Sequence, residues 1–161
     1  MNAATLSERP QVNRGQCSIA RTLGLLGQKW TLLILREALY GVSRFDDFQA
    51  NLKIPRPVLS DRLALLSKHG LLVREPYRDE GQRVRHGYRL TEKGADLLPT
   101  LVALMQWGDR YLADGAEPAV LLTHKGCGTH VRAELTCTSG HRIETTAELE
   151  ARAGPGAKGA T

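Results

Sequence analysis

Lys53–Tyr88, KIPRPVLSDRLALLSKHGLLVREPYRDEGQRVRHGY, decides the fold. Pro55 can open a helix, because the N–H it lacks is one that a first turn leaves unpaired. Leu59, Leu63 and Leu66 then recur at spacings of four and three, which makes one apolar face. Arg56, Pro57, Val58, Ser60, Asp61 and Arg62 are left at the N-terminal end and on the opposite face. Gly70 is placed to stop the helix as a left-handed C-terminal residue. Leu71-Leu72-Val73 is too short for another helix and reads as a strand. Charged residues follow up to Tyr88, with Asp79-Glu80-Gly81 as the turn of a hairpin.

A helix with a polar, cationic outer face followed by a basic hairpin is the layout of a winged helix-turn-helix. The helix enters the major groove, and the hairpin, or wing, rests on the backbone or minor groove. The charge agrees with this layout. Nine cations (Lys53, Arg56, Arg62, Lys68, Arg74, Arg78, Arg83, Arg85, Arg89) face four anions (Asp61, Glu75, Asp79, Glu80) between Lys53 and Arg89. That surplus equals the formal net charge of +5 for all 161 residues, so the positive charge is concentrated. The bland alternative is a solvated amphipathic helix and hairpin.

Length suits one domain with a small appendage. No apolar run reaches the roughly 18 residues of a membrane span. The N-terminus, MNAATLSERPQVNRG, lacks the hydrophobic core of a signal peptide. Three cysteines, an odd number, argue against a disulfide-stapled secreted scaffold. The expectation is a cytoplasmic protein with reduced thiols and no membrane partner.

Residues 1–15 are polar and unpatterned and read as a flexible arm. Ile19, Leu23, Leu26 and Trp30 repeat at helical spacing, with Gly27 separating a short first helix from a second, Thr31–Tyr40. The inner face of that second helix is Leu32, Leu35 and Leu39. Ser43 is read as the cap of a third helix, with Asp46 as a capping-box acid and Phe45 and Phe48 pointing inward. Only a few residues separate it from the Pro55 helix, as helix-turn-helix geometry requires.

These motifs together resemble the HxlR family of bacterial winged-helix transcription regulators, which are usually homodimers. The resemblance lies in Cys17-Ser-Ile-Ala-Arg-Thr-Leu-Gly-Leu-Leu-Gly-Gln-Lys-Trp30, LLILREALYG and Ser43-Arg44-Phe45. It continues through Leu59-Ser60-Asp61-Arg62-Leu63, His69-Gly70-Leu71, Tyr77 and Tyr88-Arg-Leu-Thr-Glu-Lys-Gly94, and closes on Trp107-Gly108. It covers about residues 17–112. One departure is KIPRPV in place of the more usual glycine-isoleucine-serine opening of the recognition helix, which alters the helix start and leaves its base preference open.

The resemblance implies binding rather than chemistry. Phosphate contacts, which position without reading sequence, are expected from Ser43, Arg44, Arg78, Arg83 and Arg85. Base readout is expected from Arg56, Pro57, Ser60 and Arg62, arginine being able to bridge guanine O6 and N7. Asp61 either repels phosphate or holds Arg62 in place.

Thr91 reads as the N-cap of a final long helix, with Pro99 as a kink within it. Leu97, Leu101, Leu104, Gly108 and Tyr111 step by four and three, and Leu98, Met105 and Leu112 add a stripe at sevens. That face is wider than a small core needs. It is read as a dimer interface of Leu97, Leu101, Leu104, Met105, Trp107 and Tyr111, against the alternative of a core helix. A two-fold dimer would place its recognition helices about 34–36 Å apart on a pseudo-palindromic site.

Cys17 precedes the first helix, where unpaired N–H groups and the helix dipole favour a thiolate, and Arg21 one turn on adds to that. The resemblance points the same way, since several HxlR-type regulators sense oxidants or electrophiles at this position. A small, half-buried structural thiol is the competing account. Farther on, AVLLT and VRAELTC read as strands of a β-hairpin extension packed near the dimer helix. His124, Cys127, Cys137 and His141 have the right chemistry for tetrahedral zinc but poor spacing, nine residues separating the pairs. No cofactor is expected, and zinc there is the less favoured account beside small apolar thiols or a facultative disulfide.

The expected fold is therefore α+β, mainly helical with a small β wing, homodimeric through its terminal helices. The expected layout is an arm (1–15), a winged helix-turn-helix and dimerisation domain (16–115), a small β-rich extension (116–146) and a disordered tail (147–161). No paired carboxylates, phosphate-binding glycine loop or nucleophile elbow point to an enzyme. Double-stranded DNA and a second copy of the chain are the expected partners. The rival expectations are a small-molecule inducer at the dimer interface in place of the thiol switch, and a protein-interaction module without DNA binding.

Overall fold

A computed structural model describes residues 14–157 except Asp79 and Gln82. They divide into two compact units: one is Leu26–Val120, and the other joins the segment up to Leu25 with the chain from Leu121 onward.

In chain order the helices are α1 (Ser18–Leu26), α2 (Lys29–Leu39), α3 (Phe45–Leu52) and α4 (Arg56–Lys68). Strands β1 (Leu72–Tyr77) and β2 (Arg85–Leu90) follow, then α5 (Glu92–Ala95) and α6 (Leu98–Tyr111). The unit Leu26–Val120 is an α+β winged helix-turn-helix. Its core is Ile34 and Leu35 of α2, Phe48 of α3, Ile54 of the connection, and Leu59, Leu63 and Leu66 of α4. Burying each such leucine contributes about 1.5–3 kcal/mol. The inner face of α2 differs slightly from expectation. Ile34 and Leu35 are fully buried, whereas Leu32 and Leu39 are half-buried. Phe48 is buried as expected, and Phe45 only half so.

The three residues Lys53-Ile54-Pro55 join α3 to α4, and buried Ile54 pins the turn. Lys53 caps α3 with φ 49° and ψ 38°, in the left-handed region. That conformation costs an L-residue roughly 1–2 kcal/mol, and it explains why glycine is the usual occupant. Lys53→Gly should relieve the strain at the cost of a more disordered unfolded chain. The net expectation is a gain of about 0.5–1 kcal/mol in a denaturant titration.

The other end of α4 is closed firmly. Gly70, at φ 69°, donates its N–H to Ser67, and Leu71 N–H reaches back to Leu66 O at 2.9 Å. This is the paired bonding of a Schellman motif, completed by the buried side chains of Leu66 and Leu71. The Thr91 hydroxyl donates to Gly70 O at 2.6 Å, its backbone N–H donates to Leu71 O, and Lys93 Nζ takes His69 O at 2.8 Å. Three carbonyls beyond the helix end are thereby satisfied by the segment opening α5. Thr91 also caps α5, accepting from Gly94 N–H at 3.1 Å.

The single long helix expected after Thr91 is in fact two. Helix α5 ends at Ala95 and α6 begins at Leu98, with Pro99 in its first turn. Pro99 is thus part of a helix start, where its missing N–H costs nothing, and not a kink. Ser43 is likewise not the cap of α3. Arg44 holds the N-cap position without a capping bond from its side chain, and Ser43 O instead accepts Tyr88 N–H at 2.7 Å.

The second unit carries a short 3-10 turn (Arg14–Gln16), most of α1, and two small antiparallel pairings. Thr123 bridges His130, and β3 (Leu135–Thr136) pairs with β4 (Arg142–Ile143). The expected strand AVLLT is therefore reduced to one bridge at Thr123, and VRAELTC to the two residues of β3. Within the expected disordered tail, a 3-10 turn Thr146–Glu148 is held by a capping box between Thr145 and Glu148. Gln16 Nε2 also donates to Gly156 O at 2.9 Å. The four residues weighed for zinc do not converge. Among the described residues no three His, Cys, Asp or Glu side chains gather into a metal site; His124 Nδ1 lies 3.3 Å from Cys127 Sγ, and Cys137 meets His141 through a backbone bond. The remainder of the expected arm and tail, residues 1–13 and 158–161, lies outside the described residues, as does Asp79 of the expected wing turn.

Candidate nucleic-acid interface

Periodicity aims α4. With Leu59, Leu63 and Leu66 inward, the exposed positions are Arg56, Pro57, Ser60, Asp61, Ala64 and Lys68. Arg56, Ser60 and Ala64 stand at intervals of four and form one outward strip. Arg62 does not belong to it. It lies three residues after Leu59 and four before Leu66, hence beside the buried stripe, and its Nε is buried without a hydrogen-bond partner among the described residues. Its expected place among the base readers therefore conflicts with helical geometry. Ala64 and Lys68 share the exposed side instead.

Arg56 is exposed but partnered. Its guanidinium lies 4.6 Å from the Phe45 ring and within 3.3 Å of both Asp46 and Gln49 of α3. An ion pair this exposed contributes about 0–1 kcal/mol. A bidentate arginine–guanine contact discriminates by about 1–3 kcal/mol. Arg56 is therefore held only weakly at the surface. The first turn of α4 carries neither a side-chain cap nor an acidic residue, which leaves its amide groups open to an anion.

The wing is set by strand register, Leu72 opposite Leu90 and Tyr77 opposite Arg85. Gly87 is buried against the loop before α3, where a Cβ would stand 3.4 Å from Ser43 O. With the Tyr88–Ser43 bond, this ties the wing to the start of α3. Beside that joint lies a cavity of about 260 Å³ lined by Ser43, Arg44, Glu75, Tyr77, Tyr88 and Arg89, among others. Arg44 stacks over Tyr77 at 4.8 Å. Arg89 is neutralised by Glu75: Arg89 Nε donates at 2.9 Å, and this bonding holds the Glu75 carboxyl below the usual carboxylate range. Arg74, Arg78, Arg83 and Arg85 are exposed wing cations besides Arg89.

Sequence reasoning missed Glu37. Its carboxylate is buried in α2 and bonded by Arg36 (2.7 Å) and by Asn51 Nδ2 of α3 (3.0 Å), which fixes α3 against α2. The available signal was the single carboxylate of α2. Of the proposed dimer residues, Leu104, Trp107 and Tyr111 are exposed along one side of α6, with the Trp107 and Tyr111 rings 5.5 Å apart. Leu97, Leu101 and Met105 are half-buried. Cys17 is exposed immediately before α1, and the Arg21 guanidinium one turn on bonds Ser18 Oγ at 3.2 Å.

A family model described as HxlR-like helix-turn-helix matches residues 25–116, the span of this fold. The chain belongs to the HxlR family. It is a transcriptional regulator with a helix-turn-helix DNA-binding domain. An HTH-type transcriptional regulator of Mycobacterium tuberculosis, Rv3095, is 48% identical over 141 residues, 88% of each chain. The solved structure of PA1607, described as a transcription factor, superposes with a TM-score of 0.72 at 35% identity, over 81% of this chain and 91% of that one. The reduced form of the redox regulator HypR matches with a TM-score of 0.53 at 26% identity, over 62% of this chain and all of that one. No helix among the described residues of this HxlR chain is long and apolar enough to cross a membrane.

Proposed function

We propose that this regulator binds a pseudo-palindromic operator as a homodimer and that the state of Cys17 governs the affinity. The observation that carries the DNA-binding part is the outward strip of α4 together with the exposed wing arginines, the wing being tied to the start of α3 through Ser43–Tyr88. Arg56, Pro57 and Ser60 read base edges from the major groove. Arg83 and Arg85, with Ser43, Arg44 and Arg78, grip phosphates and fix register.

Dimerisation is assigned to α6. An exposed stripe of Leu104, Trp107 and Tyr111 is costly in water, and aromatic residues of this kind anchor interfaces. The thiol switch is supported by the exposure of Cys17 at the start of α1 and by the likeness to HypR, itself a redox regulator. Oxidation of Cys17, with a disulfide to a second subunit as its simplest product, changes the spacing or angle of the two recognition helices.

The test is fluorescence anisotropy with DNA from upstream of the chain's own gene, reduced and then after diamide, with Cys17→Ser alongside. The expected result is two chains per site and a reversible change in affinity in the wild type alone. Equal binding by reduced and oxidised protein would sink the switch while leaving DNA binding intact.

A further inference from the structure

The strongest unassigned cluster is in the second unit, at the loop joining Thr123 to His130. Two backbone bonds shape it: His124 N–H to Thr129 O at 2.9 Å, and Gly128 N–H to His124 O at 2.7 Å, with Gly128 at φ 73°. Cys127 is exposed in this loop. Its Sγ lies 3.3 Å from His124 Nδ1 and 2.9 Å from the Thr129 hydroxyl. Gly126 makes room for the ring, since a Cβ there would stand 2.8 Å from His124 Cε1. A nucleophile, a base and a hydroxyl thus meet on a six-residue turn whose glycine admits the imidazole.

We propose that Cys127 is a second covalent modification site, distinct from Cys17, that reacts with low-molecular-weight disulfides. His124 accepts the thiol proton, and the Thr129 hydroxyl donates to the resulting thiolate. The Cys127 sulfur attacks one sulfur of the disulfide, forming a mixed disulfide as the old S–S bond breaks. The leaving sulfur departs as a thiolate and takes the proton held on His124. Cys127 is oxidised, the departing sulfur is reduced, and no further co-reactant is needed. An imidazole in contact with a thiol is the arrangement of an activated cysteine, whereas an inert structural thiol is buried among apolar atoms.

Electrostatics agree with the geometry. The Thr129 hydroxyl and N–H, and then His124, lower the Cys127 pKa to about 7. Such a thiol is roughly half ionised at neutral pH, against about 3% for an ordinary one near 8.5. Its sulfur is intrinsically a weaker nucleophile, which takes back about fivefold, so the net gain in exchange rate is roughly threefold.

The experiment exposes the full chain to glutathione disulfide at pH 7 and follows each cysteine by timed quenching and peptide mass mapping. The expected result is Cys127 modified about threefold faster than Cys137. His124→Gln should remove that advantage, Cys17→Ser should leave it unchanged, and all variants should keep the wild-type thermal melt. Gly126→Ala, which displaces the ring from the sulfur without removing any reacting group, should also slow Cys127. It serves if His124→Gln fails to fold. Cys127 reacting no faster than Cys137, or at an unchanged rate in both His124→Gln and Gly126→Ala, overturns the proposal.

Discussion

Replacing Arg83 and Arg85 together by alanine should weaken DNA binding about 30-fold at 0.15 M salt, and should flatten its salt dependence by about 1.8 log units per log salt. Both arginines are exposed near the end of the wing, Arg85 opening β2 opposite Tyr77. Each phosphate they neutralise contributes about 0.9 to the slope. Their removal should leave folding stability within roughly 0.5 kcal/mol, as for other exposed substitutions. Ser60→Ala on α4 provides the contrast. It should lower preference for the specific site while leaving the slope nearly intact, because base contacts release few counterions. Anisotropy titrations at three salt concentrations separate the two. A double variant with the wild-type slope would mean that the wing does not touch the backbone.

Gly94→Ala should cost about 3 kcal/mol of stability. Propensity alone predicts the opposite, since alanine favours a helix over glycine by about 1 kcal/mol. Packing overrides it. A Cβ at Gly94 would lie 2.2 Å from the Leu71 carbonyl oxygen and 2.8 Å from Leu90 Cδ2. The first is backbone, pinned at the start of β1 by the Thr91 N–H. Relief requires moving α5 away from the end of α4, which strains the Thr91–Gly70 and Lys93–His69 bonds. A urea titration would show the loss as a lower midpoint at similar slope. A variant as stable as the wild type would mean that α5 lifts away without penalty.

The recognition helix was legible because its two strongest signals are local. A leucine spacing of four and three fixes the buried face, and Gly70 supplies the left-handed stop. Less legible was anything set by contact between elements. Thr91 reads as an ordinary helix cap, yet with Lys93 it also closes the end of α4, while Gly94 lets the backbone approach Leu71 O. Arg62 reads as a cation on a DNA-facing helix, but its position relative to Leu59 and Leu66 turns it aside. Glu37 has meaning only once Asn51 of α3 is beside it. His124 and Cys127 suggested metal by residue type, whereas the turn brings together only those two and adds a threonine that carries no such signal.

The contrast between the two ends of α4 has a mechanical consequence. The C-terminal end is clamped by hydrogen bonds to the segment that leads through α5 into α6. The N-terminal end is held by the buried side chains of Ile54 and Leu59, with solvent-facing contacts of Arg56 to Asp46, Gln49 and Phe45 outside them. Helix α4, at 13 residues, is a lever roughly 20 Å long with its fulcrum at Gly70. A rotation of about 10° at the fulcrum carries the tip roughly 3.5 Å, more than the tolerance of a hydrogen bond to a base edge. A tilt of α6, transmitted through the clamp, would therefore displace the outward residues Arg56 and Ser60 only together with the buried Ile54, Leu59 and Leu63, so that α4 moves as one body with the core beneath it.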